Sequence, residues 1–283
     1  MIQEISLYAG NADALHSFEQ NINELLLKVR RAYFCALGYL AEFLKQHGCK
    51  LCAFSLVTFL GEPCAAWKSN SQYLYGYSDP FQYYGMNPES ISLEKAQKKA
   101  ILLLHGNYHN QSAFLDLGYR LEANNLGPVY SLNLHHGALT EADRELIHAK
   151  MDKIRVQYSQ HGRVPKIDII GHSRGSQMAF LTGLGDESYH INASGEIEIQ
   201  EENIRLHELV DKVVRIGMNT PLEIRNKVPR EYLERVYEVH AIWDLIEKGS
   251  SLAEPDHQFN AQCGHVGLLY SRQVHDQIME WIS

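Results

Sequence analysis

The sequence predicts an α/β fold with a mostly parallel central sheet and helices on both faces. Three observations carry this. Beyond about residue 95, short continuous apolar runs alternate with stretches of helical period. Several of those runs lack polar alternation, as expected of strands buried on both faces. One of them leads directly into a glycine-flanked serine that opens a helical segment. The chain has 283 residues, 45% apolar and 21% charged, the balance of an ordinary globular protein. That excludes a disordered chain or a coiled coil.

The elements follow in order. Lys99–Leu104 is the first central strand. Phe114, Leu117 and Leu121 mark one face of the next helix. Pro128–Leu134 reads as a second strand. Thr140, three residues before Asp143, forms a helix-start box, and Ile147, Met151, Ile154 and Tyr158 continue its buried face. Ile167–Ile170 is a third strand, and Gln177–Leu184 continues as helix. Lys212–Gly217 and Arg235–Ile242 supply two more strands. Val274, Ile278, Trp281 and Ile282 define an amphipathic C-terminal helix, in which His275 is expected to be solvated. Residues 185–211 exceed a minimal helix-to-strand link. Their turn-rich Gly185–Ser188 and Asn192–Gly195, with Ile197, Ile199 and Ile204 able to pack, suggest a lid or rim insertion.

Residues 1–95 have a different character and are expected to form a largely helical extension packed on a core of residues 96–283, where they wall a substrate pocket. Ser17 to Gln20 reads as a capping box. The apolar stripe after it, from Ile22 to Leu44, predicts an amphipathic helix ending near Gly48. Leu51–Leu60 is a largely apolar run closed by Gly61, Glu62 and Pro63, and Trp67 lies nearby. Tyr73, Tyr75 and Tyr77 alternate like a half-buried strand.

Net charge is −8, with 26 basic against 34 acidic residues and no basic block, so no nucleic-acid partner is expected. The first Lys or Arg is Lys28, so no secretory signal is read, and no apolar stretch is long enough to span a bilayer. A cytoplasmic location is the default, with non-classical export left open. Cys49 and Cys52 have the spacing of a redox or zinc motif, with Cys35 and Cys64 nearby, but free thiols are the simpler reading of five cysteines. The sequence holds 15 histidines. His105, His109, His135, His136 and His172 gather near the motifs below, yet no paired carboxylate spacing accompanies them. No metal and no cofactor are expected.

The chemistry centres on Gly171–Gly175. A serine between two glycines, after a strand and before a helix, sits on a tight turn that lifts its hydroxyl above the sheet, beside the positive end of the helix. Ser173 is therefore the candidate nucleophile. A serine hydroxyl needs a base, and for a serine on such a turn the acid and the histidine follow in chain order. His265, in the loop before the C-terminal helix, is the candidate base, and His257 the second choice. Asp244 ends a strand between the two and is the candidate acid, with Asp256 as competitor. The first central strand runs into His105, Gly106 and Asn107, where a sharp turn can point N–H groups inward. The backbone N–H groups of Asn107 and Arg174 are the expected oxyanion hole.

Residues 99–283 resemble the α/β-hydrolase superfamily, nearest its lipase and esterase members. The matching pieces are Leu102–Gly106, Gly171–Gly175, Trp243–Ile246 and Gly264–Leu269, all in family order. The segment from Asp244 to His265 is similar to that of bacterial triacylglycerol-lipase-like proteins. The resemblance implies a serine hydrolase acting on a carboxylic ester with an apolar acyl group, and a small-molecule ester or lipid as partner. A thioesterase or amide hydrolase would use the same residues. A non-enzymatic interaction module at a membrane surface, suggested by the helix at 17–47, is the rival from another class, and with it peripheral membrane contact.

Overall fold

The structure is a computed structural model, which describes residues 62–73, 85–192, 194–218, 222–244 and 251–283. The chain divides into two compact units, Met1–Leu56 and Val57–Ser283, and all described residues belong to the second. The capping box at Ser17, the stripe to Leu44, the run at Leu51–Leu60, Tyr75–Tyr84 and Cys35, Cys49 and Cys52 lie outside them.

Among the described residues, β1 (Ala100–Leu104), β2 (Val129–Leu132), β3 (Ile167–His172), β6 (Val210–Ile216), β7 (Val236–Ala241) and β8 (Gln258–Ala261) form one sheet. Its order is β2-β1-β3-β6-β7-β8, and every neighbouring pair is parallel. Every residue of β1 is buried, which explains its unbroken apolar run. Leu102 and Leu104 join a core with Ile147, Met151 and Ile154 of α3 (Glu141–Ser159) and Met178 of α4 (Arg174–Leu184). Strand alternation turns Ile101 and Leu103 to the other face, toward α2 (Leu115–Ala123) and α7 (Arg272–Ile282), which an Arg120–Asp276 ion pair ties together. Full burial of each such side chain contributes about 1.5–3 kcal/mol.

The helix-start box is present as read: the Thr140 hydroxyl accepts from the Asp143 N–H, and Asp143 accepts from the Thr140 N–H. The 185–211 insertion carries an antiparallel hairpin, β4 (Tyr189–Ile191) with β5 (Ile197–Ile199), in which Ile199 is buried and Ile197 and Ile204 pack partly against the core.

Four features differ from the sequence reading. A helix, α1 (Glu62–Tyr73), starts at Glu62 and Pro63 where a closing turn was expected, and Tyr73 is its last residue rather than a strand position. Trp67 stands two-thirds exposed on that helix. Two short helices, α5 (Leu222–Lys227) and α6 (Arg230–Leu233), and the edge strand β8 were not anticipated. His275 is buried rather than solvated, and its Nε2–H donates to the Leu269 carbonyl at 2.8 Å. Burial lowers its pKa to about 4, so it sits there as a neutral donor.

Chain order reverses about β1 and β3. From β1 the chain steps out to β2, then returns to β3 on the other side. In a sheet of this kind the crevice at that reversal, beyond the carboxyl ends of the strands, is where ligands bind. β1 runs there into His105–Asn107, and β3 runs there into Ser173.

Candidate active site

Ser173 follows β3 directly and caps α4 with φ 51° and ψ −124°. A side chain other than glycine is strained there, and such strain is held only where the surroundings enforce it. The enforcement is steric. A Cβ on Gly175 would lie 2.1 Å from the Leu104 carbonyl oxygen, and one on Gly171 would lie 2.3 Å from that of Gly175. The helix therefore docks backbone-to-backbone on β1 and β3, and only glycines permit the approach. The Ser173 N–H donates to the Ile216 carbonyl at 2.8 Å and the Ser176 hydroxyl to the Gly171 carbonyl at 2.6 Å, closing the turn.

The loop after β1 passes beside the serine: a Cβ on Gly106 would lie 2.9 Å from the Ser173 Cβ. Asn107 and Arg174 border the same cleft as Ser173. Arg174 is the first residue of α4, and its N–H belongs to the opening turn that lacks intrahelical acceptors. Both side chains are occupied elsewhere. The Asn107 carboxamide oxygen accepts from the Gly137 N–H at 2.7 Å. The buried Arg174 guanidinium pairs with Asp143 and donates to the Ala138 carbonyl at 2.8 Å. One segment, residues 137–143, thus braces both residues from which oxyanion donors are expected. Burial raises the Asp143 pKa, but bonds from Thr140 and His135 and the Arg174 charge outweigh it and hold the carboxyl below its ordinary range.

On the other side of the cleft, His265 Nδ1 lies 2.8 Å from Asp244 Oδ2, and both side chains are buried. A carboxylate only accepts, so Nδ1 carries the proton and Nε2 keeps a free lone pair. His172 packs its ring 4.8 Å from that of His265 and donates its Nε2–H to the His265 carbonyl at 3.1 Å. Burial, reinforced by the neighbouring His265, lowers the His172 pKa to about 3, so it remains neutral. The Glu62 carboxylate accepts from the N–H groups of Val266 and Gly267 at 3.0 and 2.9 Å. Nothing in the sequence singled out this contact, which spans 204 residues.

The cleft joining these sides has a volume of about 620 Å³. Ala66, Ser69 and Asn70 of α1 form one wall, Gly195 at the tip of the β4–β5 hairpin reaches its rim, and Leu139, Met218, Val266 and Leu269 supply apolar lining. The competing candidates lie apart from this lining. His257 stacks on Tyr237 with ring centres 4.1 Å apart, and Asp256 is exposed beside it. His105 is spent on structure: its Nε2 accepts from the Leu134 N–H at 2.8 Å and its Nδ1–H donates to the Gly106 carbonyl. Burial lowers the pKa of His105 and of His109 to about 4. Among the described residues no three His, Cys, Asp or Glu side chains group to hold a metal ion, and no helix is long and apolar enough to cross a membrane.

No protein-family model matches the chain, and no curated protein matches it in sequence. Solved structures do match. A bacterial membrane phospholipase A described as a virulence factor aligns over 85% of this chain and 97% of its own, at 12% identity and TM-score 0.41. The Pyrococcus furiosus esterase Pf2001 aligns over 66% and 83%, at 11% identity and TM-score 0.37. An extracellular α/β-hydrolase from a Paenibacillus species aligns over 64% and 97%, at 9% identity and TM-score 0.37. The fold assignment stands on the parallel sheet, its point of reversal and the strained serine turn: the Val57–Ser283 unit has the α/β-hydrolase fold.

Proposed function

We propose that the protein is a serine hydrolase that cleaves a carboxylic ester with an apolar acyl group. The observation that carries this is the strained Ser173 turn in one cleft with a histidine whose Nδ1–H is held by a buried aspartate. In this reading His265 Nε2 takes the Ser173 hydroxyl proton as the oxygen attacks the ester carbonyl. Asp244 keeps the productive tautomer and favours the imidazolium that forms. The tetrahedral oxyanion is met by the N–H groups of Arg174 and Asn107, helped by the positive end of α4. His265 then returns the proton to the leaving alcohol, and the acyl group stays on Ser173. Water, deprotonated by the same histidine, releases the acid.

The apolar lining of the cleft supports an apolar acyl group, and α1 (Glu62–Tyr73) supports a pocket wall drawn from this short part of the N-terminal segment. The test is covalent labelling by a fluorophosphonate probe. Wild-type protein is expected to label and Ser173→Ala to be silent. His265→Ala is expected to lower labelling and turnover by at least about 10⁴-fold. Asp244→Asn should fall heavily and Asp256→Asn stay near wild type. Full turnover by the alanine variant at 173 removes the reading. Absent labelling of a folded wild-type protein points instead to a binding module, for which liposome flotation is the next measurement. Esters, thioesters and amides of graded chain length fix the substrate class.

A further inference from the structure

We infer that Glu62 is a positioning residue for His265, holding the histidine loop in register with the serine turn; the inference rests on the serine-hydrolase reading above. The carboxylate uses its two oxygens separately, Oε2 accepting from the Val266 N–H at 3.0 Å and Oε1 from the Gly267 N–H at 2.9 Å. These are the two amides that follow the histidine. The contact also reaches the residue before it, because a Cβ on Gly264 would lie 2.4 Å from the Glu62 carboxyl carbon. His265 is thus gripped on three sides: Asp244 on the ring, His172 on the carbonyl, Glu62 on the turn beyond.

Two properties suit Glu62 to this work. Its helix is fixed to the core at a second point, where buried Lys68 pairs with buried Asp116 and lies over the Tyr270 ring at 4.4 Å. The grip is therefore anchored rather than a loose surface contact. Its charge also lies within electrostatic reach of the histidine. Burial, with the nearby Asp244 charge, raises the Glu62 pKa above its ordinary value, only partly countered by the two amides and the positive form of His265. His265 is accordingly faced by Asp244 from the end of β7, by neutral His172 from β3 and by Glu62 from α1. The Cys263 thiol of its own loop is raised by burial and by both carboxylates, and stays protonated. A second carboxylate behind the imidazole favours the imidazolium formed as the serine attacks.

The test compares Glu62→Gln, Glu62→Ala and Lys68→Met with wild type, in full-length protein whose fold is checked by circular dichroism. Glu62→Gln keeps the shape but loses the charge and one of two acceptors. It is expected to lower kcat roughly 10- to 100-fold, the scale of a misplaced catalytic group. KM should stay within about threefold, as for a group that acts on the transition state. The acid limb of the rate of phosphonylation should move to lower pH, because the imidazolium is less favoured. Lys68→Met loosens the same helix through Asp116 and the Tyr270 ring while leaving Glu62, His265 and the Val266 and Gly267 amides unaltered in sequence; it should lower Tm and leave the pH limb in place. Wild-type rate and pH limb in folded Glu62→Gln overturn the inference, as does a Lys68→Met variant that shifts the limb equally. Should Glu62→Ala fail to fold, the glutamine variant decides. Wild-type protein that never labels at Ser173 sinks the parent reading, a separate result.

Discussion

The two walls of the cleft are built on different principles. The serine wall is steric and local. Glycines at 171 and 175 let α4 dock on the backbone of β1 and β3, and the strained serine follows from that docking. The histidine wall is polar and long-range. His265 is held by Asp244, by the ring of His172 and by a carboxylate from the start of α1, all distant in sequence. A steric wall is rigid because backbone atoms cannot yield. A polar wall is only as firm as the elements that present its partners, so disturbing those elements should weaken one side of the site and spare the other.

The largest effect is expected where the polar wall is founded deepest. Arg215 of β6 and Glu238 of β7 face each other in register and form a fully buried pair. Glu238 also accepts from the Ser251 hydroxyl and from the N–H groups of Leu252 and Ala253, at 2.8 and 3.3 Å. It therefore pins the chain where it returns after Asp244. Burial alone would raise its pKa, but His240, the Arg215 charge and Ser251 together hold it at about 2. Glu238→Gln removes the carboxylate charge that faces the buried Arg215 guanidinium and should destabilise by about 3–5 kcal/mol. Urea unfolding measures this. A loss under about 1 kcal/mol would show that the pair is not what holds the return segment.

This contrast also sets what the sequence could disclose. Ser173 was legible because its determinants are contiguous: an apolar strand, two glycines and a helix within a few residues. Thr140 with Asp143 was legible for the same reason. Asp244 and His265 could be chosen from chain order, but their supports could not. The α1 helix hid because its buried positions, Ala65, Lys68, Ser69 and Gln72, keep helical spacing while being mostly polar. A search for apolar period passes over them. Proline just inside a helix start is the available signal, but the same Gly61, Glu62 and Pro63 also fit a closing turn. The β8 strand hid because an edge strand of Gln, Phe, Asn and Ala, mostly half-buried, lacks both alternation and a continuous apolar run. It is defined by its backbone ladder to β7. His275 was misplaced because a histidine in a helix reads as surface until an acceptor such as the Leu269 carbonyl is known.

A matched pair of alanine substitutions separates the two walls. At Gly175 the new methyl meets the Leu104 and His105 carbonyl oxygens at 2.1 and 2.6 Å, neither of which can move without opening the turn. Gly175→Ala should destabilise by about 3 kcal/mol, the upper range for overpacking. At Gly264 the atoms nearest the new methyl all belong to the Glu62 side chain, the first at 2.4 Å. That side chain can swing away, so Gly264→Ala should lose clearly less stability than Gly175→Ala while reducing kcat through the displaced grip. Thermal melts and ester turnover on both variants read this directly. Equal stability losses, or an active Gly264→Ala with Glu62 demonstrably displaced, would break the distinction.

The smallest effect on the cleft lies at the opposite end of the strands and should touch neither wall. Asp168 is the second residue of β3, five residues before Ser173, so it sits roughly 16 Å down the strand. It is fully buried, with Oδ1 accepting from the Lys212 N–H at 3.1 Å and Oδ2 3.5 Å from Lys99 Nζ. Burial raises its pKa to about 6, only partly countered by Lys99. A raised folded-state pKa means that the native state binds a proton more tightly than the unfolded chain. The carboxylate therefore destabilises above pH 6, the penalty fades as pH falls through 6, and it is gone below the unfolded value near 4. Asp168→Asn keeps the acceptor for Lys212 and removes the charge, and Lys99 retains Asp211 at 2.7 Å. The variant should gain stability over wild type at pH 8, by at most about 3 kcal/mol, and lose most of that advantage at pH 4.5. Turnover at pH 8 should not change, because no part of the cleft is lined by this residue. Urea unfolding at the two pH values decides it: an advantage that is the same at both, or larger in acid, means that the buried charge at this end of β3 is compensated in the folded state.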